Sequence, residues 1–255
     1  MLQERVKDGS ILRLMGKWLK AGVLEGETFL QPETGSPQGA VISPLLGNLF
    51  LHPVLDEWYV RVVKPRLRGR SCLIGYGDDF VIGCEREDEA RRIMTALPKR
   101  FARFGLTLHP QKTALIAFSK PSLRQEGAKG KGTFEFLGFT HYWAQSRRGY
   151  WVIKRRTAKK RVRRTIQALW QWCCSNRHLK VMEQYRVLCQ KLRGHYQYYG
   201  IRGNYRLLQE VFQQAERAWR YWLSRRSQKG TLTGDKIERW RARFPLPAPR
   251  ILHNI

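Results

Sequence analysis

At 255 residues the chain can bury a sizeable core and hold one large domain or two modest ones. Its 48 Lys and Arg against 20 Asp and Glu give a formal net charge of +28, which points to a polyanionic partner, nucleic acid before membrane. The five cysteines form no CxxC pair or zinc-like spacing, and no signal peptide or apolar run of spanning length occurs, so an intracellular, cytoplasmic setting without a membrane partner is expected.

The charge is unevenly placed. Residues 1–146 carry 21 Lys/Arg against 15 Asp/Glu, and residues 147–255 carry 27 against 5, so the net values are +6 and +22. This suggests a chemical module followed by one that grips a phosphate backbone. Nine tryptophans and ten tyrosines argue against a disordered basic tail.

Taken in chain order, Ile11, Leu12, Met15, Trp18 and Leu19 have helical spacing. Gly35, Pro37 and Gly39 make a tight turn in GSPQG, and the apolar run Val41–Tyr59 reads as a helix buried on most sides. Pro44 suits its first turn, and Pro53 should bend or divide it. The stretch LIGYGDDFVIG then reads as two half-buried strands joined by a polar tip, Asp78 and Asp79, with Cys72 and Cys84 as small buried thiols.

Beyond the hairpin, Ala90, Ile93, Met94, Leu97, Phe101 and Phe104 mark an amphipathic helix that Gly105 should end in a left-handed cap, with Pro98 of uncertain effect in its middle. Strands are expected at 106–109 and 113–118, in TFEFLGFTHYW, and at Tyr150–Ile153. Together these elements predict an α+β fold with antiparallel strands. From Thr157 the pattern turns helical over 157–173, 178–199, 204–226 and, more briefly, 233–241, which predicts an α-helical bundle followed by an extended PLPAPRILHNI. No dinucleotide or P-loop glycine motif occurs.

Paired carboxylates on a rigid turn suit Mg²⁺ and phosphoryl transfer, although a surface turn can carry such a pair too. Asp78 is placed as a shared metal ligand and Asp79 as an auxiliary one. Gly77 lets the turn bend, and Tyr76 offers a flat platform to a nascent base pair. A third carboxylate is expected but not found. Asp56 and Glu57 look like solvent caps at a helix end, and Glu135 like the partner of a nearby basic residue.

Ser36, Gln38 and the backbone of GSPQG could contact a nucleotide, and a structural turn explains the glycines and proline equally well. Lys112 in HPQKT could neutralise a triphosphate, or be one of many solvated lysines. FLGF suits a tight strand turn on which a nucleic-acid backbone rests, or a core turn. In KRRTAKKRVRR the density of charge, including Lys159, Lys160, Arg163 and Arg164, should face a partner. Roughly half or more of the aromatics Trp170, Trp172, Tyr185, Tyr196, Tyr198, Tyr199, Trp219, Tyr221 and Trp222 are expected in the core, and the remainder could stack on bases, with Tyr198 a candidate. His195 reads as a core or RNA-facing histidine.

GSPQGAVISPLLGNLFLHPVLDEW, YGDDF, LHPQKT, FEFLGF, LRGHYQYYG and WRYWLSRR, in that order, resemble bacterial group II intron reverse transcriptase/maturases over nearly the whole chain. The resemblance implies a partial right-hand polymerase palm over 1–153 and a helical thumb, or maturase-specific domain, with an extended tail over 154–255. It implies RNA-directed DNA polymerase chemistry, with Mg²⁺ on Asp78 and Asp79 and Gly77 standing where the family usually has Ala. Gly35, Ser36, Pro37, Gln38 and Gly39 then correspond to the nucleotide- and template-contacting turn, and Lys112 to the triphosphate-side lysine. Phe136, Leu137, Gly138 and Phe139 correspond to the primer grip, and residues 155–226 to the thumb. The implied partners are group II intron RNA, an RNA template with its DNA primer, and deoxynucleoside triphosphates.

There is one large departure. The family has fingers and a first catalytic aspartate ahead of the helix at Ile11, and this chain has neither. It is therefore expected to be the C-terminal part of a longer protein, inactive as a polymerase alone unless a separate N-terminal fragment supplies the rest. The alternative expectation is a non-enzymatic RNA-binding maturase fragment that assists splicing. No HNH-like module follows, so second-strand DNA cleavage is not expected.

Overall fold

The computed structural model describes residues 6–20, 23–25, 28–30, 43–121, 132–226 and 234–254. The GSPQG motif, Gly35 to Gly39, lies outside the described residues. The chain divides into two compact units, Met1–Ala117 and Phe118–Ile255. Small antiparallel sheets and a helical bundle make the fold a mixed α/β one.

In the first unit, helix α1 (Gly9–Lys20) starts on Asp8, whose carboxylate accepts the N–H groups of Ser10 at 2.7 Å and Ile11 at 3.2 Å. Strands β1 (Val23–Glu25) and β2 (Thr28–Leu30) pair antiparallel. Helix α2 (Ser43–Leu51) carries Pro44 in its first turn, as expected, but buries none of its residues. The helical path then widens into two π-helical segments, His52–Asp56 and Tyr59–Val63, before a 3-10 turn at Lys64–Arg66. Only here are side chains buried, at Val54, Leu55, Tyr59 and Val63, so the expectation of a helix buried on most sides holds for its second half alone.

Pro53 neither ends nor divides the helix, because the wider π turn accommodates it. The Arg100 guanidinium donates to the carbonyls of Val54 and Pro53, both at 3.0 Å. Asp56 and Glu57 are not at a helix end. They lie inside this path, Asp56 Oδ2 at 3.0 Å from His52 Nδ1 and Glu57 beside Arg61.

Strands β3 (Ser71–Tyr76) and β4 (Asp79–Cys84) form a two-stranded antiparallel sheet, followed by α3 (Glu87–Ala102). Acidic Glu87, Asp88 and Glu89 in the first turn of α3 suit its dipole, and Pro98 sits inside the helix. Its end is a Schellman motif: Leu106 N–H bonds Phe101 O at 3.1 Å, Gly105 N–H bonds Ala102 O at 3.1 Å, and Gly105 has φ 69°. Leu55, Tyr59, Val63, Ile93, Leu97 and Phe101 form the core, with Leu73, Phe80 and Ile82 packed against it.

The strands expected at 106–109 and 113–118 do not form. Instead His109 O accepts the N–H groups of Lys112 at 3.1 Å and Thr113 at 3.0 Å, closing a turn, and Leu115 and Ile116 remain exposed. Strand-like composition makes a strand only where a ladder partner exists, and none of the named strands pairs here.

In the second unit, β5 (Phe134–Phe136), β6 (Phe139–Gln145) and β7 (Trp151–Thr157) form an antiparallel meander. Strand β7 runs past its expected end at Ile153 to Thr157. The bundle follows as α4 (Lys159–Ser175), α5 (Val181–Tyr199), α6 (Tyr205–Ser224) and the short α7 (Asp235–Arg243), close to the expected spans. Its core centres on Leu188, Leu192, Leu208, Val211, Ala215 and Trp219.

Two buried polar residues tie this unit together. Gln184 accepts the Trp219 indole N–H at 2.9 Å and donates to the carbonyls of Arg177 and Leu179. Asn204 accepts Thr157 N–H at 3.0 Å and donates to Tyr199 O at 2.8 Å. The proline-rich tail lies extended, as expected, along α5, with Tyr185 and Tyr196 hydroxyls bonded to the carbonyls of Pro245 and Pro247. Among the described residues no helix is long and apolar enough to cross a membrane.

Candidate active site and nucleic-acid interface

The register of β3 and β4 places Tyr76 opposite Asp79 and leaves Gly77 and Asp78 as a two-residue turn. Gly77 has φ 59° and Asp78 a negative φ, the sign pattern of a II′ hairpin turn, which calls for glycine at its first central position. One face of the hairpin presents Leu73, Phe80 and Ile82 to the core. The other carries Cys72, Ile74 and Tyr76, the last two 55% and 70% exposed. Cys72 is therefore not the buried thiol expected, because its strand has a single packed face. Cys84 is half-buried, and desolvation first, then Glu89 and Cys72, pushes its thiol up.

Asp78 and Asp79 are both exposed at the tip, and no ion pair with another described residue engages either. Hard carboxylate oxygens on an open turn fit Mg²⁺, which commonly takes one or two carboxylates and completes its shell with water and phosphate. Among the described residues, no group of three or more His, Cys, Asp or Glu is placed to hold a metal. The described residues thus present two donors and no closed cage.

The hairpin has an anchor that sequence reading missed. Glu89 is fully buried, and its carboxylate accepts the N–H of Arg68 at 2.6 Å and of Gly69 at 3.2 Å, fixing the loop that delivers β3. Arg92 and Arg86 flank it at 3.8 and 4.0 Å. A Cβ on Gly69 would lie 3.1 Å from Arg86 Cγ and 3.2 Å from Glu89 Oε2, so a side chain there would push these neighbours back by a few tenths of an ångström. In sequence Glu89 is one of three acids at a helix start, and nothing distinguishes it from its neighbours.

Lys112 is exposed in the turn after His109, and no hydrogen bond or ion pair among the described residues links it to the aspartates. In the second unit, Phe136 and Phe139 face each other across β5 and β6, and Leu137 and Gly138 form the turn between them with φ 50° and 77°. Gly138 O accepts the N–H of Ala158, the N-cap of α4. The FLGF turn therefore abuts the start of the basic helix.

Lys159, Lys160, Arg163 and Arg164 are all exposed on the first turns of α4, where no acidic residue and no side-chain cap offsets them. Cations at a helix N-terminus oppose the helix dipole, so folding alone does not favour this block, and an anion would be welcome there. Of the nine aromatics considered, only Tyr198 and Tyr221 are exposed, in keeping with the expectation that half or more pack in the core. Tyr198 stacks on Phe139 with centroids 5.7 Å apart, and Tyr221 lies under the Arg225 guanidinium. His195 is a core-side histidine packed on Tyr199, its imidazole held down to about 4 by burial.

Residues 5–141 match the family of reverse transcriptases, RNA-dependent DNA polymerases. The chain belongs to the reverse transcriptase family. This family membership covers the aspartate turn and the FLGF motif alike. The chain is similar to the group II intron-encoded protein LtrA of Lactococcus lactis subsp. cremoris, 37% identical over 62 residues, which are 24% of this chain and 10% of LtrA. It is 38% identical over 58 residues, 23% of this chain and 7% of the relative, to an uncharacterized 91 kDa protein in the cob intron of Schizosaccharomyces pombe. It is also 30% identical to protein YkfC of Escherichia coli K12, with 36% of this chain and 31% of YkfC covered. The chain thus spans about a tenth of the length of LtrA.

Proposed function

We propose that this chain supplies the metal-binding hairpin, primer-holding turn and nucleic-acid-gripping helices of an RNA-directed DNA polymerase of the group II intron type. The reading is carried by the hairpin tip at Asp78 and Asp79, whose two exposed carboxylates make no ion pair with another described residue, on a core-packed hairpin in a member of the reverse transcriptase family. On this reading residues 1–153 act as part of the palm and 154–255 as the thumb. Asp78 and Asp79 would hold Mg²⁺, which when bound lowers the pKa of a primer hydroxyl and neutralises triphosphate charge. Tyr76, exposed beside them, offers a flat surface to the terminal base pair. Gly35 to Gly39 contact nucleotide and template, and Lys112 meets the triphosphate. The FLGF turn holds the primer strand, and the α4 block, with group II intron RNA, template and primer as partners, neutralises phosphates.

A second reading is favoured by the absence, among the described residues, of a third acid near the pair, together with the +22 charge of residues 147–255. In it the chain binds intron RNA without catalysing synthesis. Primer extension on an RNA template with Mg²⁺, run beside RNA-binding measurements on the same preparation, separates the two. Under the polymerase reading Asp78→Ala loses extension by at least roughly a hundredfold and keeps RNA affinity within a few-fold. Extension that survives this substitution removes Asp78 from the metal site. Wild type that binds RNA tightly yet extends nothing, even when joined to a fingers segment bearing the first aspartate, favours the second reading.

A further inference from the structure

Leu137 is the one described residue other than glycine with a positive φ, 50°, and its neighbour Gly138 has φ 77°. Both central residues of the turn are therefore left-handed, the I′ pattern that two-residue hairpins usually fill with Asn-Gly or Asp-Gly. Leucine has no side-chain hydrogen bond to offer there and its Cβ crowds the backbone, so something else must hold the turn. The bundle does. Tyr198 on α5 donates its hydroxyl to Leu137 O at 2.9 Å, a contact sixty-one residues away in sequence. Its ring stacks on Phe139 with an interplanar angle of 15°, while Tyr199 meets Phe139 edge-on at 5.3 Å. Tyr199 Oη also lies 2.9 Å from where a Cβ on Gly138 would sit, and Ala158 N–H bonds Gly138 O at 2.9 Å.

We propose that Tyr198 is a positioning residue for primer binding: its hydroxyl clips the Leu137 carbonyl and holds the FLGF turn in the strained shape that meets the primer strand. The proposal rests on the primer-holding reading of that turn. It sets Tyr198 apart from a base-stacking aromatic, because stacking uses the ring and the clip uses the oxygen. It also ties the turn to α4 and α5, so that turn and helices shift as one body within this unit.

The test is binding of a labelled RNA-template/DNA-primer hybrid by the 255-residue chain, read by fluorescence anisotropy, with single-stranded RNA as the comparison. Tyr198→Phe removes only the oxygen and should weaken hybrid binding about fivefold, the scale of one neutral hydrogen bond, while single-stranded RNA binding changes less than about twofold. Leu137→Gly relieves the left-handed strain, since glycine adopts that conformation freely. Measured against the Leu137→Gly single variant, whatever its own hybrid affinity, Tyr198→Phe/Leu137→Gly should show less than about a twofold further loss. Wild-type hybrid binding by Tyr198→Phe overturns the clip. So does an undiminished loss from Tyr198→Phe in the Leu137→Gly background, which would assign the oxygen to direct contact with nucleic acid. Gly138→Ala, which forces a Cβ against Tyr199, is the control for the underlying reading. If it weakens hybrid binding and Tyr198→Phe does not, the turn holds primer without the clip. If neither matters, the primer-holding reading itself fails.

Discussion

Replacing Glu89 with alanine probes how the aspartate hairpin is anchored. The fully buried carboxylate accepts two backbone N–H groups, from Arg68 at 2.6 Å and Gly69 at 3.2 Å. Hydrogen bonds to a charged acceptor contribute about 1.5–3 kcal/mol each, and their loss leaves two buried donors to be rehydrated. The flanking Arg86 and Arg92 side chains are half or more exposed, so water solvates them at little further cost. Some relaxation of the loop offsets part of the loss, which leaves a net destabilisation of about 3 kcal/mol for Glu89→Ala. Glu89→Gln keeps one acceptor oxygen and should lose about 1–2 kcal/mol. Urea unfolding followed by circular dichroism measures the total. Hydrogen exchange at Arg68 and Gly69 reports whether the loss is local. A change below about 0.5 kcal/mol, with exchange at those two amides unaltered, would refute the anchoring role.

Burial holds the His195 imidazole at about 4, so between pH 6.5 and 4 the unfolded chain takes up a proton that the folded bundle does not. Stability should therefore fall by roughly 2–3 kcal/mol as pH drops through that window, and His195→Phe should remove this share of the acid sensitivity; identical pH profiles would contradict it. Replacing Lys159, Lys160, Arg163 and Arg164 together with glutamine should flatten the log–log salt dependence of RNA binding by up to about 3, whereas an unchanged slope in a folded variant would leave the block facing solvent. Iodoacetamide with mass-spectrometric mapping should label exposed Cys72 readily in the native protein and spare buried Cys173, whose thiol burial pushes up to about 12. Equal rates at the two sites would show that the bundle opens around Cys173.

What could be read from residues alone was local and chemical. Gly77 before a polar pair, Gly138 between Leu137 and Phe139, and Gly105 after an apolar helix each mark a turn or cap, and all three have a positive φ, anticipated as a left-handed cap for Gly105. The three long bundle helices, α4 to α6, were legible because their apolar periodicity persists over four or more turns. The features that escaped are those set by distant partners. Residues 113–118 have strand-like composition but no ladder, and Cys72 is apolar in pattern but lies on the open face of its strand. Glu89 resembles a solvated helix-start acid, and its burial depends on a loop twenty residues earlier. Tyr198 is one ring among many in GHYQYYG, and only the fold brings its hydroxyl to a turn sixty-one residues away.

The two π-helical segments after α2 alter how this region can change in length. Each closes an i to i−5 bond, Glu57 N–H to His52 O and Lys64 N–H to Tyr59 O, in place of the usual i to i−4. In a regular α-helix, residues four apart drift around the axis by about 40° per step, so a column of them spirals off the core. The wider turns hold Leu55, Tyr59 and Val63 in a straighter column against Ile93, Leu97 and Phe101. Each segment behaves as a one-residue insertion absorbed without a loop. Deleting one residue there would let the α-helix re-form and keep everything downstream, including the approach of Arg68 and Gly69 to Glu89, close to its place, whereas the same deletion in a regular α-helix would rotate it by about a quarter turn. A deletion that would reach the carboxylate-bearing hairpin as a torque from a regular helix is thus absorbed at either π turn.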